Sequence, residues 1–177
     1  MAEHEWLTGA IQRIRRRPLV PDGSGESVQI GAREIERLLP HRPPMLFVDG
    51  IDVVDIHEGR VRGHRTLSPD ALGFAGHFPG EPIYPGVLLI ETMGQLGITL
   101  LHFTGHQTTA VPEQTVPPRV RATYVHHAAF LAPVRPGDRL VVHAAVVEHN
   151  LTMIAAGQVF VGDTLAAYAV AEVYVDE

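Results

Sequence analysis

A histidine and a glutamate flank a loop rich in proline and glycine, in a context that suits acid–base chemistry. Residues 76–86 contain three prolines and three glycines. These residues fix an irregular backbone, so the direction of the His77 side chain is set by the loop. Glu91 lies about two turns into the apolar segment that follows. A carboxyl group in apolar surroundings tends to keep its proton near neutral pH, which suits Glu91 to protonating a leaving group.

Three neighbouring residues would support this pair. Pro85 suits a first helical turn, and the N–H of Gly86 would then lie at the positive end of the helix, where it can polarise a carbonyl oxygen. Gln95 follows Glu91 by four residues, so it lies on the same helix face and can orient the carboxyl group. Such a histidine or glutamate, taken singly, is more often structural than catalytic. The residues alone therefore leave both interpretations open.

The elements that position these groups are one long helix and a β-rich last third. The apolar segment predicts a helix over 85–103, apolar around almost its whole circumference and therefore buried. A shorter helix is predicted over 32–39. Alternating and β-branched patterns predict strands over 45–55, 60–67, 119–130, 139–148, 151–161 and 164–175. Short connections make the sheet of five or six strands antiparallel. The fold class is α+β.

Composition narrows the functional classes. The chain has 177 residues, a formal net charge of -6 and no cysteine. The negative charge argues against nucleic-acid binding and against a strongly basic membrane surface. The missing cysteines exclude disulfides, thiolate nucleophiles and cysteine-based metal sites. No apolar run approaches the roughly 20 residues of a membrane span, and the N-terminus has no apolar signal core. We expect a cytoplasmic protein.

The chain is expected to form one domain with an N-terminal extension. Residues 1–27 combine a short helical pattern, ending in the arginines at positions 13 and 15–17, with a Pro- and Gly-rich linker. We interpret them as a solvated or loosely docked arm, with an RNA- or partner-binding arm as the alternative. Residues 28–177 form the domain.

Three motifs in order resemble those of the β-hydroxyacyl-[acyl-carrier-protein] dehydratases, and specifically the FabZ type. Residues 76–95 read GHFPGEPIYPGVLLIETMGQ, residues 38–49 read LLPHRPPMLFVD, and Phe130 is followed by PVRPGDRL at 133–140. The resemblance covers roughly residues 35–175. It implies a hotdog fold, in which a curved antiparallel sheet wraps a long central helix. It also implies a homodimer, with a trimer of dimers left open, in which His77 of one protomer faces Glu91 of the other.

The resemblance also implies a mechanism that needs no metal or organic cofactor. His77, oriented by the Ile83 carbonyl, removes the proton alpha to a thioester carbonyl that binds the Gly86 N–H. Glu91 protonates the β-hydroxyl as it leaves, which gives a trans-2-enoyl thioester and water. Glutamate at position 91, where the FabA type has aspartate, implies dehydration without isomerisation of the double bond.

The implied substrate is an acyl chain linked through phosphopantetheine to an acyl carrier protein, or acyl-CoA. Tyr84, Phe74 and Phe78 are the candidate walls of the acyl tunnel. Tyr84 stands where the family commonly has methionine, and the family's basic run is replaced by AAFLA at 128–132. These departures and the extension favour a specialised pathway such as polyketide synthesis, while fatty-acid synthesis stays open.

Three alternatives remain. A thioesterase on the same fold would hydrolyse the thioester, and a non-catalytic hotdog protein would bind it without turnover. A metal enzyme would use His102 and His106, which have helical i,i+4 spacing, or the pair His126 and His127. The His-Glu-x-x-His pattern of zinc hydrolases is absent from the sequence.

Overall fold

The computed structural model describes the backbone of residues 2–149 and 152–176, and the side chains of residues 8–146 and 152–176. The elements in chain order are α1 (Ala2–Arg16), β1 (Glu26–Ile30), α2 (Ala32–Leu38), β2 (Gly50–Asp55), β3 (Arg60–Thr66), α3 (Gly86–His106), β4 (Arg119–Phe130), β5 (Arg139–His149), β6 (Met153–Val161) and β7 (Thr164–Asp176). The predicted α+β class is confirmed, with one long helix against an antiparallel sheet.

The described strands form a single sheet in the order β1-β2-β3-β5-β6-β7-β4, with every neighbouring pair antiparallel. The sheet has seven strands where five or six were predicted, because β1 was not recognised in the sequence. The boundary drawn between residues 27 and 28 lies inside β1. At the other edge, β4 pairs only with β7 along its described length, so one side of β4 has no strand partner within the chain.

The core lies between α3 and the sheet. Helix α3 packs against β3 to β7, and its fully buried apolar residues recur at alternating spacings of three and four; they are Leu89, Met93, Leu96, Leu100 and Phe103. The helix approaches β6 closely, because a Cβ added at Gly157 would lie 2.6 Å from the Cβ of Met93. Val87 in the first turn is 68% exposed, so α3 is not buried around its whole circumference, as had been predicted.

By length and composition alone, α3 would qualify as a membrane-crossing helix, contrary to the expectation that no apolar run approaches this length. It is the only such helix in the part of the chain that the structure describes. More than half of the most apolar stretch of α3 is buried inside the protein. Its apolar character is therefore accounted for by its position in the core.

The strand predicted over 45–55 is shorter in the structure, where β2 begins at Gly50. Asp49 still donates its N–H to the carbonyl of His64 in β3 at 2.9 Å, but the backbone at Met45 and Phe47 bonds to a helix side chain. The carbonyl of Met45 accepts a hydrogen bond from Gln95 Nε2 at 2.8 Å, and the N–H of Phe47 donates to Gln95 Oε1 at 2.7 Å. The segment 45–49 is thereby tied to α3, next to Glu91.

The N-terminal extension differs from the expected solvated or loosely docked arm. Ala10 and Ile14 of α1 and Val20 beyond it are at most 2% exposed. Ile14 belongs to an apolar cluster with Ala156, Tyr168 and Val170. These sheet residues lie on the face opposite α3, since strand side chains alternate and the adjacent Gly157 faces Met93. The arm therefore covers the outer face of the central strands.

Two polar side chains of the sheet bind the main chain of this arm. Gln158, which is fully buried, donates through Nε2 to the carbonyls of Ile14 and Arg17 and accepts from the N–H of Leu19 at 2.7 Å. His143 Nδ1 accepts from the N–H of Val20 at 3.2 Å. The arm is held by hydrogen bonds to its backbone as well as by apolar contact.

Candidate active site

The loop that carries His77 is closed by its own hydrogen bonds. The N–H of Ile83 donates to the carbonyl of His77 at 2.9 Å, and Phe78 and Glu81 exchange a pair of backbone bonds of 3.3 and 3.1 Å. The imidazole is then fixed by Nδ1, which lies 2.8 Å from the Ile83 carbonyl oxygen. A carbonyl oxygen only accepts, so Nδ1 carries a hydrogen, and in the neutral form of the ring Nε2 keeps its lone pair. The neutral ring is oriented as a base.

Glu91 is positioned from within its own helix. Gln95, one turn further along α3, donates through Nε2 to Glu91 Oε1 at 2.8 Å. Gln95 is itself fully buried and is fixed by Met45 and Phe47. The side chain of Glu91 is 38% exposed in the single chain. The predicted orienting contact between Gln95 and Glu91 is present in the structure.

A second group, which was not predicted as part of the site, approaches Glu91. His41, in the loop after α2, places its Nε2 3.4 Å from Glu91 Oε1. Its Nδ1 is buried and has no hydrogen-bond partner among the described residues. The Arg42 guanidinium donates to the carbonyls of His41 and Leu39 at 2.6 and 2.8 Å and holds this loop. Only the shared LLPHRPP motif marked His41 in the sequence, since fifty residues separate it from Glu91.

Within one chain, His77 and Glu91 line two different cavities. Glu91 lies with His41 and Gln95 in a cavity of about 220 Å³. The other walls of this cavity are mostly small and apolar; they include Gly94, Gly97, Ala122, Ala155, Gly157, Ala169 and Ala171. His77 lies with Ile83, Tyr84 and Gly86 in a more open cleft closed by residues 130–134. Residues of β4 line both cavities, since Val120, Ala122 and Val125 belong to the first and Phe130 to the second.

Gly86 begins α3 and lies in the cleft of His77, as the proposed oxyanion role requires. Pro85 takes the position before the helix, with φ −59° and ψ 128°, and is not in its first turn. A Cβ added at Gly86 would lie 2.7 Å from Cε1 of Phe130. Glycine is therefore required here by the close approach of the aromatic ring.

The three aromatic residues assigned to the acyl tunnel lie in different environments. Tyr84 lines the His77 cleft but is only 2% exposed, and burial raises the pKa of its phenol. Phe74 is buried behind it, with ring centroids 5.3 Å apart. Phe78 is 55% exposed and stacks on the His77 ring at 4.1 Å.

The histidines considered as metal ligands have other contacts. His102 and His106 stand with ring centroids 5.0 Å apart, and His102 Nε2 lies 2.9 Å from the carbonyl of Ala110. His127 Nε2 lies 3.1 Å from the Tyr168 hydroxyl, and His126 Nε2 lies 3.3 Å from Glu172 Oε2. Among the described residues, no group of three or more His, Asp or Glu side chains is arranged to hold a metal ion.

Comparison with known proteins gives a consistent assignment. The FabA-like domain family matches residues 39–170. A Campylobacter jejuni protein named 3-hydroxyacyl-[acyl-carrier-protein] dehydratase FabZ is 42% identical over 141 residues, which cover 79% of this chain and 93% of the relative. A protein of the same name from Nitratiruptor sp. is 37% identical and covers 77% and 90% of the two chains. Helix α1 and strand β1 lie before the family match.

Solved structures share the fold at low identity. An uncharacterised protein from Pyrococcus horikoshii aligns with a TM-score of 0.53 at 16% identity and covers 80% of this chain and 92% of its own. The PaaI protein of the phenylacetic acid degradation operon of E. coli aligns with a TM-score of 0.52 at 17% identity, covering 72% and 78%. The motif around His77 and Glu91, the fold and the family match agree, and the chain belongs to the FabA-like family as a FabZ-like dehydratase of the hotdog fold.

Proposed function

We propose that the protein is a 3-hydroxyacyl-[acyl-carrier-protein] dehydratase, which removes water from a β-hydroxyacyl thioester in fatty-acid synthesis. The observation that carries the proposal is the pair of oriented groups. The lone pair of His77 Nε2 is left free by the Ile83 contact, and Glu91 is held by Gln95. The relatives named above, which match most of the chain, bear the same activity in their names.

His77 is the base of the reaction. Its Nε2 takes the proton from C2 of the acyl chain, and the electron pair of the C2–H bond forms the double bond to C3. The N–H of Gly86 at the start of α3 binds the thioester oxygen, where negative charge develops as the proton leaves. The Ile83 carbonyl stabilises the imidazolium that results, because it accepts the hydrogen at Nδ1.

Glu91 is the acid. It gives its proton to the hydroxyl on C3 as the C3–O bond breaks, so the products are a trans-2-enoyl thioester and water. The cycle ends with an imidazolium at His77 and a carboxylate at Glu91, and proton exchange with solvent restores both. General acid–base assistance of this kind is typically worth about 10² to 10⁴ in rate.

The complete site requires a homodimer. His77 and Glu91 line separate cavities in one chain, and β4, which contributes to both, is an edge strand. Strand β4 also exposes three large apolar side chains, by between 46% and 61%; they are Tyr124, Val125 and Phe130. Such exposure is unusual on an edge strand that no other strand covers. Pairing of two β4 strands would cover this edge and bring the His77 cleft of one protomer against the Glu91 cavity of the other.

The acyl chain occupies the small-residue cavity beside Glu91. Glycine and alanine leave room where larger side chains would fill the space between α3 and the sheet. The thioester is delivered by an acyl carrier protein, or by coenzyme A in an assay, and the protein acts in the cytoplasm. The same site serves a polyketide-type pathway if the carrier belongs to one.

The test is the interconversion of crotonyl and β-hydroxybutyryl thioesters, followed by the absorbance of the conjugated enoyl group. His77→Ala and Glu91→Gln should each lower kcat by about 10² to 10⁴, with thermal unfolding unchanged. Arg15→Ala, an exposed substitution on the outer arm, is the matched control. Wild-type rates in both active-site variants would refute the assignment. Release of free thiol without formation or loss of the enoyl group would indicate a thioesterase.

A further inference from the structure

The loop after α2 brings a second histidine to the acid of the proposed reaction. His41 Nε2 lies 3.4 Å from the Oε1 atom of Glu91 that already accepts from Gln95 Nε2 at 2.8 Å. Both potential donors therefore face the same carboxyl oxygen. The 3.4 Å separation is longer than a good hydrogen bond, and contacts of this kind often tighten only when substrate closes the site.

The other side of the imidazole restricts its protonation state. Nδ1 of His41 is buried and has no partner among the described residues. A hydrogen on Nδ1 would be a buried donor without an acceptor, which is costly. Burial of Nδ1 as an unpaired acceptor costs less free energy than burial of an unpaired N–H. The arrangement therefore suits a neutral ring with its one hydrogen on Nε2. In that tautomer the hydrogen on Nε2 is on the side of the ring that lies 3.4 Å from Glu91 Oε1 and can be donated to it when the contact shortens.

We propose, on the basis of the function above, that His41 is a positioning residue that fixes the proton of Glu91 on Oε2. Two donors on Oε1 make it the acceptor oxygen of the carboxyl group, because an O–H there would meet two N–H groups. The acidic hydrogen is thereby confined to Oε2, the oxygen free to meet the leaving hydroxyl. His41 does not touch the reacting atoms and acts only through Glu91.

The backbone around His41 supports a fixed position for the ring. The Arg42 guanidinium binds the carbonyls of Leu39 and His41, and Leu39 closes α2 by donating to Ile35 at 2.9 Å. The side chain of His41 is 25% exposed and lines the same cavity as Glu91. The ring is therefore held at the wall of the cavity that the acyl chain enters.

The experiment compares His41→Leu with His41→Gln, whose amide nitrogen replaces Nε2 and does not titrate near neutral pH. His41→Leu should lower kcat by about 10- to 100-fold through loss of alignment, with KM changed less than about twofold. His41→Gln should recover most of this loss. In the Glu91→Gln background, His41→Leu should cause no further loss, because no acid remains to be positioned.

Three results would overturn the proposal: an unchanged kcat in His41→Leu, a His41→Gln variant as slow as His41→Leu, or an equal further loss in the Glu91→Gln background. A further measurement is independent of turnover and of whether the leucine variant folds. Histidine-¹⁵N NMR of the wild-type protein should show His41 neutral with its hydrogen on Nε2, and a hydrogen on Nδ1 would contradict the mechanism. An inactive wild-type protein with the expected tautomer would instead refute the proposed function.

Discussion

At the residue scale, Gln95 joins the catalytic helix to the segment that precedes β2. One side chain makes three hydrogen bonds, to Glu91, to the carbonyl of Met45 and to the N–H of Phe47. It is fully buried, so none of these bonds can be replaced by water without rearrangement. The orientation of the acid and the stability of the 45–49 segment therefore depend on the same amide.

We expect Gln95→Met, which keeps the shape but not the amide, to change both properties. The buried N–H and carbonyl left unpaired should cost about 2 to 4 kcal/mol of unfolding free energy, measured by urea denaturation. The kcat should fall by about tenfold or more, since Glu91 loses its orienting donor. A variant with reduced stability and wild-type kcat would show that Gln95 has only a structural role.

The motif around the loop predicted His77, Ile83, Gly86, Glu91 and Gln95 as the site, and the structure contains the His77–Ile83 and Glu91–Gln95 contacts. His41 was not predicted. The Gln95–Glu91 contact follows from helical spacing alone, whereas the approach of His41 to Glu91 depends on how the α2 loop packs on α3. No local pattern encodes that packing.

At the scale of elements, the N-terminal arm is fastened by side chains far from it in sequence. Gln158 on β6 and His143 on β5 are separated by more than one hundred residues from the backbone groups that they bind. The helical pattern of α1 was readable from the sequence, but its docking was not, because the partner residues look like ordinary polar positions of exposed strands. Strand β1, which overlaps the end of the arm, was not recognised because its five residues are mostly polar and exposed.

Gln158→Leu should detach the arm without affecting the chemistry. Three backbone groups of the arm, at Ile14, Arg17 and Leu19, would lose their partner. The expected loss is about 2 to 3 kcal/mol of stability, with faster amide hydrogen exchange in residues 10–20. The kcat per folded molecule should stay within about twofold, because Gln158 lies on the sheet face opposite α3. Hydrogen exchange identical to the wild type would contradict this account of the arm.

The His143 contact should make stability depend on pH. Burial, together with the charge of Arg62, lowers the pKa of His143 to about 4, while Asp22 acts in the opposite direction. In the unfolded chain the pKa of the ring is near 6.5. Between about pH 6.5 and pH 4, the unfolded state therefore binds a proton that the folded state does not bind. This contribution to stability is complete above about pH 6.5 and is lost as the pH falls toward 4.

Between pH 7 and pH 5 the loss from this group should be about 1 to 2 kcal/mol. His143→Asn keeps an acceptor for the Val20 N–H but does not titrate. The unfolding free energy of this variant should therefore fall less than that of the wild type over the same interval. If the unfolding free energies of the two proteins fell in parallel between pH 7 and pH 5, His143 would not be the source of the pH dependence.

At the scale of the whole molecule, the fold class and the antiparallel run β5-β6-β7 follow from the sequence, because short connections allow few other arrangements. The short connection between β4 and β5 predicted that these two strands are neighbours, and this was wrong: β4 pairs with β7, and β5 pairs with β3 and β6. The division of the site between two cavities does not follow from local pattern. It arises because α3 begins beside Phe130 at one end of β4, while Glu91 faces the cavity lined by the earlier residues of that strand.

Mixed dimers test the proposed composite site directly. A His77→Ala chain and a Glu91→Gln chain each form inactive homodimers, but a mixed dimer has one site with both substitutions and one with neither. Random assembly after co-expression should therefore restore about one quarter of the wild-type kcat. A double-substituted chain co-expressed with itself is the control. No recovery in the mixture, with mixed dimers shown to be present by mass spectrometry, would place both groups of a site in one protomer.

Because Gln158 binds the backbone of the N-terminal arm, it affects how related proteins with such an arm can be recognised. Gln158 binds only two carbonyls and one N–H of the arm, so these bonds do not depend on the side chains that the arm has there. The arginines at positions 13, 15, 16 and 17 can therefore be substituted during evolution while the path of the backbone is kept. In a distant homologue, a glutamine on the outer face of the strand equivalent to β6 would then indicate a docked N-terminal arm. This holds even where the arms themselves share no detectable sequence identity.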